Sequence, residues 1–159
     1  MMRARRLTTA SASPPEGPPA KPVRLSDVMT PDPVTLPVTA SLSDAAQRMT
    51  SADVSAVIVL EAGTIRGVLT DGDIIVRTIV EGRHPARTKL GDICRRVAAV
   101  EQTATIAEAD RLMRRQSAHQ LPVTARGRPV GIVSAGRLAM ASSVPACEDT
   151  AVSRLARYR

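Results

Sequence analysis

The sequence predicts an α+β fold in which two tandem β-α-β-β-α units pack as a pseudo-twofold pair. The first observation behind this is an internal repeat. A shift of 64 residues, that from Gly67 to Gly131, also carries Gly63 onto Gly127, Gly72 onto Gly136, Val59 onto Val123, Met49 onto Met113 and Thr39 onto Thr103, without a gap from Pro33 to Val76. The second is helical periodicity inside each copy: Leu42, Ala45, Ala46 and Met49 in one, Ile106, Ala109 and Met113 in the other, the spacing of an amphipathic face. The third is a pair of short apolar runs around a glycine turn in each copy, the pattern of two paired strands.

Taken in order, Leu25-Ser-Asp-Val28 opens the first copy and Leu90-Gly-Asp-Ile93 the second, at a shift of 65, so one residue is inserted or lost behind the heads. Short extended pieces follow, Val34 to Leu36 and Ala98 to Val100. Ser41 and Thr105 stand where helix N-caps belong, with Asp44 and Glu108 three residues on, the pattern of a capping box. The strands are then Ala56 to Leu60 and Ile65 to Leu69, repeated as Gln120 to Thr124 and Pro129 to Val133. A second helix covers about Asp71 to Val80, and about Ala135 to Ala141 in the repeat. A lone unit would leave one face of a three-stranded sheet bare, so the two cover each other. The expected organisation is a basic, Pro-rich disordered leader over 1–22, unit 1 over 23–85, unit 2 over 86–142 and a basic tail over 143–159.

Composition narrows the function classes. The chain is 43% hydrophobic but has no Phe or Trp and a single aromatic residue, Tyr158, so its core is aliphatic. No apolar run approaches the roughly 18 residues of a membrane span, and the start MMRARRLTTASASPPEG has no hydrophobic export region; a cytoplasmic protein is expected. Of the net charge of +7, most lies at the ends: 14 basic and 12 acidic residues share the stretch from 25 to 140. Basic tails attract nucleic acid nonspecifically, but the body has no aromatic platform for base stacking. Cys94 and Cys147 fit neither a disulfide framework nor a metal motif, leaving two idle thiols or a redox-linked pair. His84 and His119 have no triad or metal partner at a recognisable spacing, and Asp71 and Asp73, two apart at a helix start, diverge rather than form a dyad. No catalytic role is expected.

The opening DVMT, the strand HQLPV (His119 to Val123) and the ending G-h-x-[T/S]-x-x-D, repeated in this order at one spacing, resemble a pair of cystathionine β-synthase (CBS) domains, also called a Bateman module, from about Val23 to Ala141. With no catalytic domain attached, the chain is similar to the small stand-alone paired-CBS proteins of bacteria, including hypoxia-response types. The resemblance implies an adenosyl ligand between the units (AMP, ADP, ATP, S-adenosylmethionine or NADH), a disc-shaped homodimer and a regulated protein partner that the sequence does not identify.

Thr70 and Asp73 are the focus of that resemblance. As residues, T-x-x-D at a strand-to-helix junction is a capping box, and a helix start is also a place for phosphate; the two readings are compatible. In the resembling family the Asp accepts both ribose hydroxyls and the Thr or Ser approaches the phosphate. Carried over residue by residue, one cleft combines Thr70 and Asp73 with Ala118, His119, Gln120 and Pro122 and the segment around Arg95. Backbone groups from Ala118 to Gln120 would face the adenine edge and Pro122 would wall the base; the alternative for His119 is a partly exposed strand residue without a function. The other cleft combines Ser134 and Arg137 with Thr30, Val54, Ser55 and Ala56. There Arg137 replaces the Asp, and a guanidinium has no acceptor for a ribose diol; it would grip a phosphate or, the preferred expectation, face solvent. Thr30, a family feature, is kept on this side and replaced by Arg95 on the other. The Asp cleft is the expected site. The leading function is therefore a ligand-sensing regulatory module, and the alternative a nucleic-acid-associated protein acting through its basic ends.

Overall fold

The computed structural model describes residues 23–143. Its elements are α1 (Leu25–Val28), β1 (Thr30–Pro31), β2 (Thr35–Pro37), α2 (Leu42–Ala52), β3 (Ala56–Glu61), β4 (Thr64–Thr70), α3 (Asp71–Ile75) running into a π-helical turn (Val76–Val80), α4 (Leu90–Ile93), β5 (Val100–Glu101), α5 (Ile106–Gln116), β6 (Gln120–Ala125), β7 (Arg128–Ser134) and α6 (Ala135–Ser143). The expected strands and helices are all present, although the first strand of unit 2 begins at Val100 rather than Ala98.

The main helices start where the capping boxes place them. Ser41 Oγ accepts from the Asp44 N–H at 3.2 Å while Asp44 Oδ2 accepts from the Ser41 N–H at 2.8 Å, and Thr105 and Glu108 repeat the exchange at 3.3 and 2.7 Å. Both hairpins turn through two residues of positive φ, Ala62 and Gly63 at 49° and 80°, Arg126 and Gly127 at 52° and 77°, matching the right-handed twist of the strands. The second helix of unit 1 is not uniformly α-helical. Its run Ile74-Ile75-Val76-Arg77-Thr78-Ile79-Val80 is dominated by β-branched residues that crowd an α-helix, and it widens until the Glu81 N–H reaches Val76 O at 3.1 Å.

The strands form a three-stranded sheet, β2-β3-β4, and a four-stranded sheet, β1-β7-β6-β5. The extra strand comes from an exchange of heads. Leu25 and Val28 of α1 are buried with Val100, Ala109, Met113, Leu121, Val123, Val133 and Leu138 of unit 2, and β1 pairs with β7. Conversely, Leu90 and Ile93 of α4 complete the core of Leu42, Ala45, Met49, Val57, Val59 and Leu69 in unit 1. The anchoring bonds repeat as well: the Leu25 N–H donates to Ala104 O at 3.1 Å, and the Leu90 N–H to Ala40 O at 2.9 Å. Each sequence copy therefore supplies the first helix of the other copy's core, and the exchange locks the pair together.

Candidate functional site

A third buried layer lies between the units. Ala56, Ile58 and Val68 are buried, yet belong to neither core; they alternate with Val57, Val59 and Leu69 and so occupy the opposite face of their sheet. That face meets unit 2, whose β6 lies against β4. On the unit 2 side, Gln120 and Pro122 alternate with the core residues Leu121 and Val123 and pair with Ser134 and Ile132 of β7. Pro122 is fully buried in this seam. The unbroken apolar run from Ala56 to Leu60 is the signal that could have revealed the layer, since a strand covered on both faces reads as continuous rather than alternating.

The T-x-x-D junction stands at one end of the seam. Thr70 Oγ1 accepts from the Asp73 N–H at 3.2 Å, and Asp73 Oδ2 takes the Thr70 N–H at 2.9 Å and the Thr70 hydroxyl at 2.7 Å. All these bonds to the carboxylate fall on Oδ2; among the described residues none is made to Oδ1, and Asp73 is only half-buried. Asp71 has its own partner, the Gly72 N–H at 2.7 Å. From the junction a path of contacts crosses the seam. The Asp71 N–H donates to Ser55 O at 3.1 Å, and Gln120 Nε2 reaches Ser55 Oγ at 3.3 Å. Thr70 itself pairs with Ala56. His119 is exposed at the start of β6, its carbonyl taken by the Ala135 N–H at 2.9 Å. Ala118 is buried, its N–H donating to Met113 O at 2.9 Å. Among the described residues the Ala118 carbonyl and the His119 N–H have no backbone partner. Arg95 borders β4 as a bridge to Val68, with its N–H and carbonyl each bonded at 2.9 Å.

The equivalent junction in unit 2 is built differently. The Arg137 N–H still donates to Ser134 Oγ at 3.4 Å, but arginine has no acceptor with which to return the bond. Its side chain does not face solvent, as the sequence led us to expect: it is half-buried and Nη1 donates to Val28 O at 3.3 Å. The exchanged head explains this, because it brings the end of α1 against α6 and leaves a carbonyl there without a helical partner. Thr30, opposite Ile132, lies beside this tie, and Val54 is held by its N–H to Met49 O at 3.0 Å.

Other candidate groups lie apart from the seam's chemistry. Cys94 packs against the core of unit 1, and burial pushes its thiol up, partly countered by Arg66 and Arg96, which is opposite to the activation a reactive thiolate needs. Cys147 and the basic ends, on which the nucleic-acid alternative depends, lie outside the described residues. Among the described residues no cluster of three or more His, Cys, Asp or Glu could hold a metal ion, and no helix is long and apolar enough to cross a membrane.

Comparison with known proteins bears on this architecture. The CBS domain family profile matches residues 25–78 and again 90–143. A CBS domain-containing protein of Bacillus subtilis, YhcV, is 30% identical over 117 residues, 73% of this chain and 83% of its own length. Hypoxic response protein 1 of Mycobacterium tuberculosis is 30% identical over 62% of this chain and 71% of its own. A crystal structure of Hypoxic Response Protein I with two coordinated zinc ions superposes with a TM-score of 0.63 at 26% identity, covering 75% of this chain and 98% of that one. The CBS domain pair of protein MJ0100, in complex with 5′-methylthioadenosine and S-adenosyl-L-methionine, shares the fold with a TM-score of 0.66 at 18% identity, over 77% of this chain and 97% of its own.

Proposed function

The chain belongs to the CBS domain family, and on that premise we propose that it is a ligand-sensing regulatory module. It binds one adenosyl ligand at the Thr70–Asp73 end of the seam, and the ligand alters the angle between the units for a protein partner to read. The observation that carries this reading is the free Asp73 Oδ1 on a carboxylate whose other oxygen is fixed by the capping box. Such an oxygen is oriented before a ligand arrives and can accept from a ribose diol. The open Ala118 carbonyl and His119 N–H offer one acceptor and one donor, the pair an adenine edge requires. Binding between the units can shift their arrangement only by the difference in affinity for the two arrangements, which is the sense in which the module reports rather than reacts.

A thermal-shift panel of adenosine, AMP, ATP, S-adenosylmethionine and NADH on the wild type and on Asp73→Ala tests the reading. At least one compound should stabilise the wild type, with affinity at least about tenfold weaker in the variant, the worth of a hydrogen bond to a charged group. Equal stabilisation of both proteins would remove Asp73 from the site.

The same reading includes a homodimer. Ile75, Val76, Ile79 and Val80 expose 57, 46, 76 and 76% of their surface along α3 and its π-helical turn, a contiguous apolar face of the kind that marks an interface. Glu81, ion-paired with Arg77 and Arg83, rims it. Ile79→Glu should convert a dimer into a monomer in sedimentation analysis; an unchanged sedimentation coefficient would place the contact elsewhere.

A further inference from the structure

The two clefts differ in their bordering strands as well as in their helix starts. Thr30 lies opposite Ile132 on one side, and Arg95 lies opposite Val68 on the other. Because Arg95 exchanges both backbone bonds with Val68 at 2.9 Å, the two residues form a directly opposed antiparallel pair and their side chains share a face. Val68 is on the seam face, and Thr70 is two residues further along it. A diagonal neighbour in such a ladder lies about 7–8 Å away, within the span of an arginine side chain. The adjacent residues point the other way: Cys94 packs on the unit 1 core, and Arg96 and Arg66 are close enough to act on its thiol. Arg95 is exposed, and among the described residues its guanidinium has no ion pair or hydrogen bond, unlike Arg137, which is tied to Val28.

We infer that Arg95 makes the Asp73 cleft selective for phosphorylated adenosine, that is, for an adenine nucleotide over neutral or cationic adenosyl compounds. The inference rests on the ligand reading given above. A guanidinium offers paired N–H donors that match two phosphate oxygens. Asp73 takes the sugar, and Arg95, across the diagonal from Thr70, takes the negative charge beyond it. Adenosine lacks that charge, and the sulfonium of S-adenosylmethionine carries the opposite one.

Calorimetric titration of the full chain with AMP, adenosine and S-adenosylmethionine tests this. AMP should bind at least about tenfold more tightly than adenosine. Arg95→Gln should reduce AMP to about the affinity of adenosine, leaving adenosine unchanged, because only the contact to charge is lost. Arg96→Gln makes the same charge change on the opposite face and should leave both affinities in place; the backbone bridge to Val68 survives either substitution. Equal affinity of the wild type for AMP and adenosine, with both lost in Asp73→Ala, would leave the cleft standing and remove Arg95 from it. Equal weakening of AMP by Arg95→Gln and Arg96→Gln would show long-range charge rather than contact and would overturn the inference. Failure of every adenosyl compound to bind would overturn the reading of the cleft itself.

Discussion

At the Thr70 end of the seam the helix start is a closed capping box, with a carboxylate oxygen left over; at the Ser134 end it is half a box, with a guanidinium turned back onto the chain. The backbones are repeats of one another, yet one residue type separates a junction with a carboxylate oxygen to spare, the one proposed to hold a sugar, from one tied to the exchanged head. Arg137 is tied to Val28 O, so duplication here leaves two frames and one candidate site. The opposite trade holds at the neighbouring strands, where unit 2's side keeps Thr30 and unit 1's side carries Arg95. Chemistry was redistributed between the ends without disturbing the fold that presents it.

The strongest test of this comparison removes the space on which each end depends. A Cβ on Gly67 would lie 2.2 Å from Arg95 O, whereas one on Gly131 would meet Met29 Sδ at 2.6 Å and Thr30 O at 2.8 Å. Backbone must shift at both sites, but further at the first, where the Val68–Arg95 bridge would have to open; at the second the thioether can swing aside and the Thr30 carbonyl need yield only slightly. Gly67→Ala should cost about 3 kcal/mol and lower the melting temperature by roughly 10 °C, with a smaller loss for Gly131→Ala. Denaturant unfolding measures both, and equal losses would mean that the two crossings are equally pliable.

A more selective test makes the ends alike. Arg137→Asp restores an acceptor that can close the box with Ser134, at the loss of a hydrogen bond to Val28 worth about 1 kcal/mol. Calorimetric stoichiometry should rise from one nucleotide per chain to two. If it stays at one, the missing acceptor is not what keeps the second cleft out of use.

The smallest effect concerns the caps of α2 and α5, where the two units share the same box. Bonds from the Ser41 N–H and hydroxyl hold the Asp44 carboxyl below its usual range, and those of Thr105 do the same for Glu108. A carboxylate with a folded pKa below its unfolded one adds stability that is full above the ordinary range, about pH 4, and is lost as pH falls through the folded value. Asp44→Asn and Glu108→Gln should each flatten the acid limb of the stability curve slightly and by similar amounts. A strong inequality would show that the units differ at their caps as well as at their clefts.

Much of this was legible in the residues themselves. The glycines at one spacing, the capping boxes at Ser41 and Thr105 and the apolar period of α2 and α5 are local or repeated patterns, and local bonding enforces them wherever the helix ends up. The T-x-x-D and S-x-x-R junctions were readable for the same reason, down to the inability of Arg137 to accept a hydrogen bond. What the sequence could not decide was which core each head would enter, because Leu25-Ser-Asp-Val28 and Leu90-Gly-Asp-Ile93 suit either one equally. Only the packed structure, in which β1 reaches β7 and Arg95 reaches Val68, settles the exchange. With it come the partner of Arg137, the seam behind Ile58 and the face on which Arg95 stands, all of them contacts between residues far apart in the chain that no local preference encodes.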